Sequence, residues 1–223
     1  MKIIGHRGAK GLAPENTLAS FAKALEHDVD EIECDIRVTK DGVPVMEHDE
    51  RMGNPGGERL KVIDCTYEEL IKHKPELPTL EACIRAVNRA VPMYLEVKPG
   101  VPTAPVVACI QQFLDEGWEA TDFKFGSFDY NVLKALHDAL PQIPLIVIES
   151  WSGIRAASRA RRLGATHISM DQRWIWSGYI RAVRRSGLEL YTYTLDNPRK
   201  ARRWARHGLN AAVTDYPDNY QSK

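Results

Sequence analysis

Eight short runs rich in β-branched and aromatic residues recur along the chain, and segments of helical period separate most of them: KIIGH, EIECDIRV, MYLEVK, FKFGSF, PLIVIES, HISMD, LELYTYTL and AAVTD. Strands that alternate with helices pair in parallel, because each helix carries the chain back to the same end of the sheet. Eight such units within 223 residues predict an α/β fold, a TIM-type (β/α)₈ barrel, as a single domain over residues 1–223. The competing architecture, a doubly wound open sheet, calls for a GxGxxG turn after the first strand, and GHRGAKG does not supply it. Helices are predicted to begin near Asn16, Thr79, Ala104, Tyr130, Gly153, Trp174 and Pro198. The first places Leu18, Phe21, Ala22 and Leu25 on one stripe. Gly164, Gly187 and Gly208 are expected as left-handed helix ends. One stretch is irregular: HDERMGNPGGERLKVIDCTYEELIKHKPE reads as a short excursion after the second strand, above the barrel.

Strict alternation in EIECDIRV puts Ile32, Cys34, Ile36 and Val38 on one face and Glu31, Glu33, Asp35 and Arg37 on the other. The outer face of a parallel barrel lies under helices and must be apolar, so the charged set points into the barrel or toward its mouth. An antiparallel sheet with one wet face would show the same alternation, but the surrounding helices argue against it. In YLEVK, Tyr94, Glu96 and Lys98 likewise oppose Leu95 and Val97. Glu33, Asp35 and Glu96 therefore aim at one volume. Three hard oxygen donors without a converging cysteine favour one divalent cation, Mg²⁺ or Ca²⁺, over zinc.

His6 ends the first β-rich run and His48 ends VPVMEHD, so both are placed, with the carboxylates and Lys98, at C-terminal strand ends where barrel enzymes keep their active sites. A histidine pair there can divide proton removal from proton delivery at neutral pH. The other five histidines fall in helices, at their ends or in connections. Glu149, Asp171 and Asp215 end later strands, and the sequence leaves open whether they serve the site or pair with neighbouring cations. Asn16 either caps the first helix or lines the site.

Lys and Arg number 30, as do Asp and Glu, so no global charge argues for nucleic-acid binding. The basic run Arg199–His207 has Ala201, Trp204 and Ala205 at helical spacing and reads as the solvated face of a helix. Cys34, Cys65, Cys83 and Cys109 form no CxxC pair, which points to a reducing compartment. With neither a signal-peptide pattern nor a membrane-spanning run, a cytoplasmic location is expected.

HRGAKGLAPENTLASF, EIECDIRVTKDGVPVMEHD, LPTLEA, LEVK, SFD and YTLDNP…GLNAAVTDYPD together, in this order over essentially the whole chain, resemble the glycerophosphodiester phosphodiesterase family. The resemblance implies a TIM-type barrel and a divalent cation. It implies a place in lipid and glycerol metabolism, through hydrolysis of small-molecule glycerophosphodiesters to sn-glycerol 3-phosphate and an alcohol. Carried over position by position, it makes His6 and His48 the acid–base pair, Glu33, Asp35 and Glu96 the metal ligands, and Arg7 and Lys98 the phosphate contacts. Tyr193 stands where relatives often have Trp, as a substrate wall. Arg7 would fall on the wrong face of an ideal strand, which requires a turn at Gly5 and Gly8. The excursion departs from the family: ERMGNPGGERLKV replaces an Arg-Thr-Thr-like run, and IKHKPE alone separates Leu70 from LPTLEA, so part of the cap over the site is reduced. The alternatives are a phospholipase C- or lysophospholipase D-like phosphodiesterase and a catalytically silent barrel used as a binding module.

Overall fold

The computed structural model describes residues 1–53, 57 and 59–221. Its strands are β1 (Lys2–Gly5), β2 (Glu31–Val38), three short pieces β3 (Pro44–Met46), β4 (Arg51–Gly53) and β5 (Arg59–Lys61), then β6 (Met93–Val97), β7 (Phe123–Ser127), β8 (Leu145–Glu149), β9 (His167–Asp171), β10 (Glu189–Tyr193) and β11 (Ala211–Thr214). Strands β1, β2 and β6 to β11 pair only in parallel with one another. Because β1 pairs with both β2 and β11, they close into the expected eight-stranded barrel. Around it lie α1 (Leu18–Glu26), α3 (Leu80–Val87), α4 (Thr103–Asp115), α5 (Tyr130–Ala139), α6 (Gly153–Leu163), α7 (Ser177–Arg185) and α8 (Pro198–Ala205), with the short α2 (Tyr67–Ile71) in the excursion.

Two helix starts differ from expectation. α1 begins after Asn16 because Thr17 is its cap, accepting the Ser20 N–H at 3.1 Å. The helix expected near Trp174 begins at Ser177. Asp171 instead caps a single 3₁₀ turn over Gln172–Trp174, and Ile175 returns to extended backbone. Gly164 closes α6 in the left-handed conformation, while Gly187 and Gly208, also at positive φ, lie just past the cap residues Ser186 and Arg206.

The alternation in β2 is realised. Ile32, Cys34, Ile36 and Val38 join the layer between barrel and helices, with Phe21, Leu80 and Ile84. Ile4, Tyr94, Ile146, Ile148, Tyr191 and Val213 fill the interior. Gly126 makes room for one of them, since a Cβ there would lie 2.3 Å from the Tyr94 ring. At the floor, Glu31 is fully buried. It is partnered by Lys2 at 2.7 Å, by Lys124, and by the Tyr191 hydroxyl, which donates at 3.2 Å. That network plugs the N-terminal end of the barrel, and active sites of this fold lie at the C-terminal ends of its strands.

One placement is corrected. His48 does not end a barrel strand: β3, which leads to it, runs antiparallel to the top of β2, with Ile36 opposite Met46 and Val38 opposite Pro44. The cause is the shortness of β1, which ends at Gly5 opposite Ile32 and leaves the upper edge of β2 unpaired. β3 occupies that edge, satisfies its backbone groups and delivers His48 back to the mouth. The excursion then forms the β4–β5 hairpin and α2 over its own small core of Val45, Met52, Val62, Leu70 and Leu77. Asn54, Pro55, Gly56 and Glu58, within the run where the family's cap was expected to be reduced, lie outside the described residues. Among the described residues no helix is long and apolar enough to cross a membrane.

Candidate active site

Immediately after β1 the chain turns. Arg7 has φ 50° and Gly8 φ 85°. A Cβ on Gly8 would lie 2.4 Å from Ser20 Oγ, so only glycine lets the turn pack on α1. This turn re-aims Arg7, which a continued strand would have directed under the helices. Its backbone N–H donates to Glu33 Oε2 at 2.9 Å and its Nη1 to Glu15 Oε1 at 2.8 Å. Arg7 Nε forms an ion pair with Asp35 Oδ2 at 3.0 Å, in a geometry that gives this buried N–H no hydrogen bond. Asn16, left open by the sequence, lines the site: its Nδ2 donates to Asp35 Oδ2 at 2.9 Å and its Oδ1 accepts the Asp35 N–H at 3.2 Å.

The parallel register sets Asp35 opposite Glu96. Glu33, Asp35 and Glu96 are all buried, and each offers a carboxylate oxygen within 4.8 Å of the others. Two oxygens at that separation can both reach one cation at about 2.4 Å, so the donor set fits a hard divalent ion. Electrostatics support the fit. Burial pushes the Glu33 carboxyl well above the ordinary range, and the neighbouring Asp35 and Glu96 charges add to it. Glu96 is also raised by burial, although Lys98 opposes it. For Asp35, burial is outweighed by Lys98 and Arg7, which hold the carboxyl at about 2. Lys98 Nζ lies 2.5 Å from Asp35 Oδ1 and also contacts Glu96. Three carboxylates thus face two cations, and their mutual repulsion, which raises Glu33 and Glu96, is what a bound cation would relieve.

A cavity of about 150 Å³ brings together His6, Arg7, Glu33, His48, Glu96, Lys98 and Tyr193, with Tyr94 and Ile148 below. Asp35 stands behind it, bound to Lys98 and Arg7. A larger cavity of about 230 Å³, beside Arg37, Glu50 and Lys61, contains neither the histidines nor the triad. Arg37 donates from Nε and Nη2 to the His48 carbonyl at 3.1 and 2.9 Å and so fixes that segment. His48 Nδ1 meets Asp49 Oδ1 at 2.8 Å. Burial and the Lys98 charge lower the His48 pKa, against the opposing pull of Asp35. Tyr193 forms one wall and donates its hydroxyl to the Glu149 carbonyl at 3.1 Å.

Of the three later carboxylates, two pair with neighbours. Glu149 binds Arg155, and Asp171 binds Arg173 at 2.7 Å. Asp215 does not: its Oδ1 accepts a hydrogen bond from His6 Nδ1–H at 2.5 Å, leaving Nε2 toward the cavity, 3.9 Å from Glu33. Burial would raise the Asp215 carboxyl, but the hydrogen bond and charge of His6 outweigh it and hold it below its ordinary range. Closure of the barrel was the signal for this residue. β1 must neighbour β11, and the ladder that pairs Gly5 with Thr214 sets His6 beside Asp215. Asp215→Asn is expected to lower kcat about ten- to a hundredfold with a smaller change in KM, because the imidazole loses its orienting partner. Steady-state kinetics check this, and an unchanged kcat would remove Asp215 from the site.

Comparison with known proteins gives a consistent picture. The family model described as "Glycerophosphoryl diester phosphodiesterase family" matches residues 6–219. The YhdW protein of Bacillus subtilis is 29% identical over 232 residues, covering 98% of this chain and 96% of its own length. A glycerophosphodiester phosphodiesterase of the same organism is 26% identical over 245 residues, covering 96% of this chain and 83% of its own length. Among solved structures, an Oleispira antarctica phosphodiesterase in complex with the product sn-glycerol-3-phosphate shares the fold. Its TM-score is 0.86 at 24% identity, over 99% of this chain and 95% of that one.

Proposed function

The chain belongs to the glycerophosphoryl diester phosphodiesterase family and is a phosphoric diester hydrolase; from that premise we propose that it hydrolyses glycerophosphodiesters to sn-glycerol 3-phosphate and an alcohol, by acid–base catalysis at His6 and His48 beside a divalent cation. The observation that carries this reading is the convergence of two histidines, three carboxylates, Arg7 and Lys98 on one cavity. The Oleispira phosphodiesterase, bound to sn-glycerol-3-phosphate, supports the product.

Glu33, Asp35 and Glu96 would hold the cation, Mg²⁺ or Ca²⁺. When bound, it would supply Lewis-acid polarisation of a phosphoryl oxygen and neutralise charge in the transition state. Arg7 and Lys98 bind and orient the phosphate oxygens. One histidine removes the proton of the attacking hydroxyl, either of water directly or of the glycerol 2-hydroxyl to give a cyclic phosphate that water then opens to sn-glycerol 3-phosphate. The other delivers a proton to the alkoxide as the P–O bond to the alcohol breaks. Asp215 holds His6 with Nε2 directed at the reacting atoms, and Arg37 holds the His48 segment. Tyr193 walls the alcohol side, and the chain acts as one domain over residues 1–223.

Tyr94 and Ile148 below the cavity and Tyr193 at its wall carry no charge that would select one head group. Several glycerophosphodiesters, including those of choline and ethanolamine, are therefore expected to release glycerol 3-phosphate in the presence of Mg²⁺ or Ca²⁺. A panel assay checks this. A single efficient substrate would contradict the open alcohol side, and no product from any would overturn the function.

A further inference from the structure

One buried hydroxyl at the catalytic cavity has no partner. Seven serines and threonines are buried among the described residues, and six of them donate to a carbonyl or carboxylate oxygen. Ser169, 1% exposed, is the exception: its Oγ forms no hydrogen bond. The Tyr94 hydroxyl stands beside it, outside hydrogen-bond geometry. Burying an unpaired hydroxyl destabilises a fold, and alanine at this position would avoid the penalty. The residue therefore calls for a role that the folded chain alone does not give it.

Strand alternation aims Ser169 at the cavity. Ile168 and Met170 on either side join the layer under the helices, so Ser169 faces the barrel interior, paired with Tyr191 in the β9–β10 ladder. Tyr193 pairs with Asp171, two residues further along, which places Ser169 one layer below the Tyr193 wall. The cavity has two unlike sides. His6, Arg7, Glu33, His48, Glu96 and Lys98 come from β1, β2, β3, β6 and the turns that follow them. The side built from β7 to β11 presents Phe128, Ile148 and Val213 and no charged residue, and on it Ser169 lies deeper than Tyr193 or Thr194. Beyond Ser169 the interior is filled by Tyr191, whose own hydroxyl is bound to Glu31. A glycerol 3-phosphate unit with its phosphoryl group among Arg7, Lys98 and the triad would extend its carbons along the uncharged side. Its 2-hydroxyl stays next to the ester carbon, and its terminal hydroxyl, one carbon further on, reaches the depth of Ser169.

We propose that Ser169 binds the terminal hydroxyl of the glycerol unit and so selects glycerophosphodiesters over phosphodiesters that lack it, with the glycerol inward and the alcohol head group at the open mouth. The inference rests on the reaction proposed above and names a specificity residue for it. A site that hydrogen-bonds a substrate hydroxyl discriminates against the analogue without it, because the buried partner is then left unpaired. The test is calorimetric binding of sn-glycerol 3-phosphate, of inorganic phosphate, and of 2-hydroxypropyl phosphate of matching configuration, which lacks only the terminal hydroxyl. Each is titrated, with Mg²⁺ or Ca²⁺ present, into the unsubstituted chain and into S169A. The unsubstituted chain is expected to bind sn-glycerol 3-phosphate about five- to tenfold more tightly than 2-hydroxypropyl phosphate. S169A is expected to bind the two esters alike and inorganic phosphate as before, with a melting midpoint no lower than that of the unsubstituted chain. Lysophosphatidylcholine, whose terminal hydroxyl is acylated, is expected to release no choline. Equal affinity for the two esters in the unsubstituted chain, an undiminished preference in S169A, or equal weakening of all three ligands would overturn the inference and leave the reaction standing. So would choline release from lysophosphatidylcholine as fast as from glycerophosphocholine. Absence of sn-glycerol 3-phosphate from glycerophosphocholine would overturn both.

Discussion

Replacing His6 or His48 by alanine is expected to lower kcat/KM on a glycerophosphodiester by at least about two orders of magnitude while leaving the fold intact. The size of the effect follows from the leaving group. An alkoxide leaves a phosphodiester poorly unless a proton arrives as the bond breaks, and the incoming hydroxyl is a weak nucleophile until its proton is removed. Lys98 and Tyr193 do not substitute for them: Lys98 is held charged by Glu96 and Asp35 despite its burial, and the Tyr193 hydroxyl is committed to the Glu149 carbonyl. The fold should survive because both side chains lie at the mouth, outside the packed layers formed by Ile32, Cys34 and Phe21 and by Tyr94 and Ile146. Kinetics with circular dichroism on each variant check the assignment. Near-normal turnover in either would remove that histidine from the mechanism.

The second large effect is predicted for the acidic triad. A divalent cation at about a hundred times its dissociation constant stabilises the folded state by about 2.7 kcal/mol, which for a chain of this length raises the melting midpoint by about 5 °C or more. The pH dependence has a definite sign. Glu33 and Glu96 have folded-state pKa values raised above the unfolded ones, so without metal they favour the fold when protonated, and that contribution is lost as pH rises through the raised values. Asp35 behaves oppositely: its folded-state pKa of about 2 gives stability above the ordinary carboxyl pKa that is lost as pH falls toward that value. The cation binds the deprotonated triad, so its stabilisation should be largest at neutral and alkaline pH and fade as pH falls through the raised Glu33 and Glu96 values. Melting curves with Mg²⁺, Ca²⁺ or chelator across pH measure this directly. Glu33→Gln should abolish the shift and reduce turnover by orders of magnitude, whereas a midpoint indifferent to cations at every pH would contradict the site.

Much of this architecture was legible in the sequence because barrel geometry converts alternation into direction. Once EIECDIRV is a buried parallel strand, Glu33 and Asp35 have nowhere to point but inward, and Glu96 joins them through register alone. The parts that were not legible depend on contacts between residues far apart in the chain. His48 was expected at a barrel strand end, but the antiparallel return of β3 depends on β1 stopping at Gly5, which no local pattern in VPVMEHD encodes. The sequence left Asn16 as either cap or site residue, and the folded chain gives the cap to Thr17 while Asn16 holds Asp35. Asp215 looked like Glu149 and Asp171, each an acid at a strand end. Closure of the barrel distinguishes it, because it sets the last strand beside the first.

The central claim is hydrolysis of a glycerophosphodiester at the His6, His48 and triad cavity. It is tested most directly by measuring sn-glycerol 3-phosphate released from glycerophosphocholine by chelator-treated protein, before and after addition of Mg²⁺ or Ca²⁺. The account predicts negligible release in chelator and restored release with cation. Absence of product with either cation, or an undiminished rate in chelator, would contradict it.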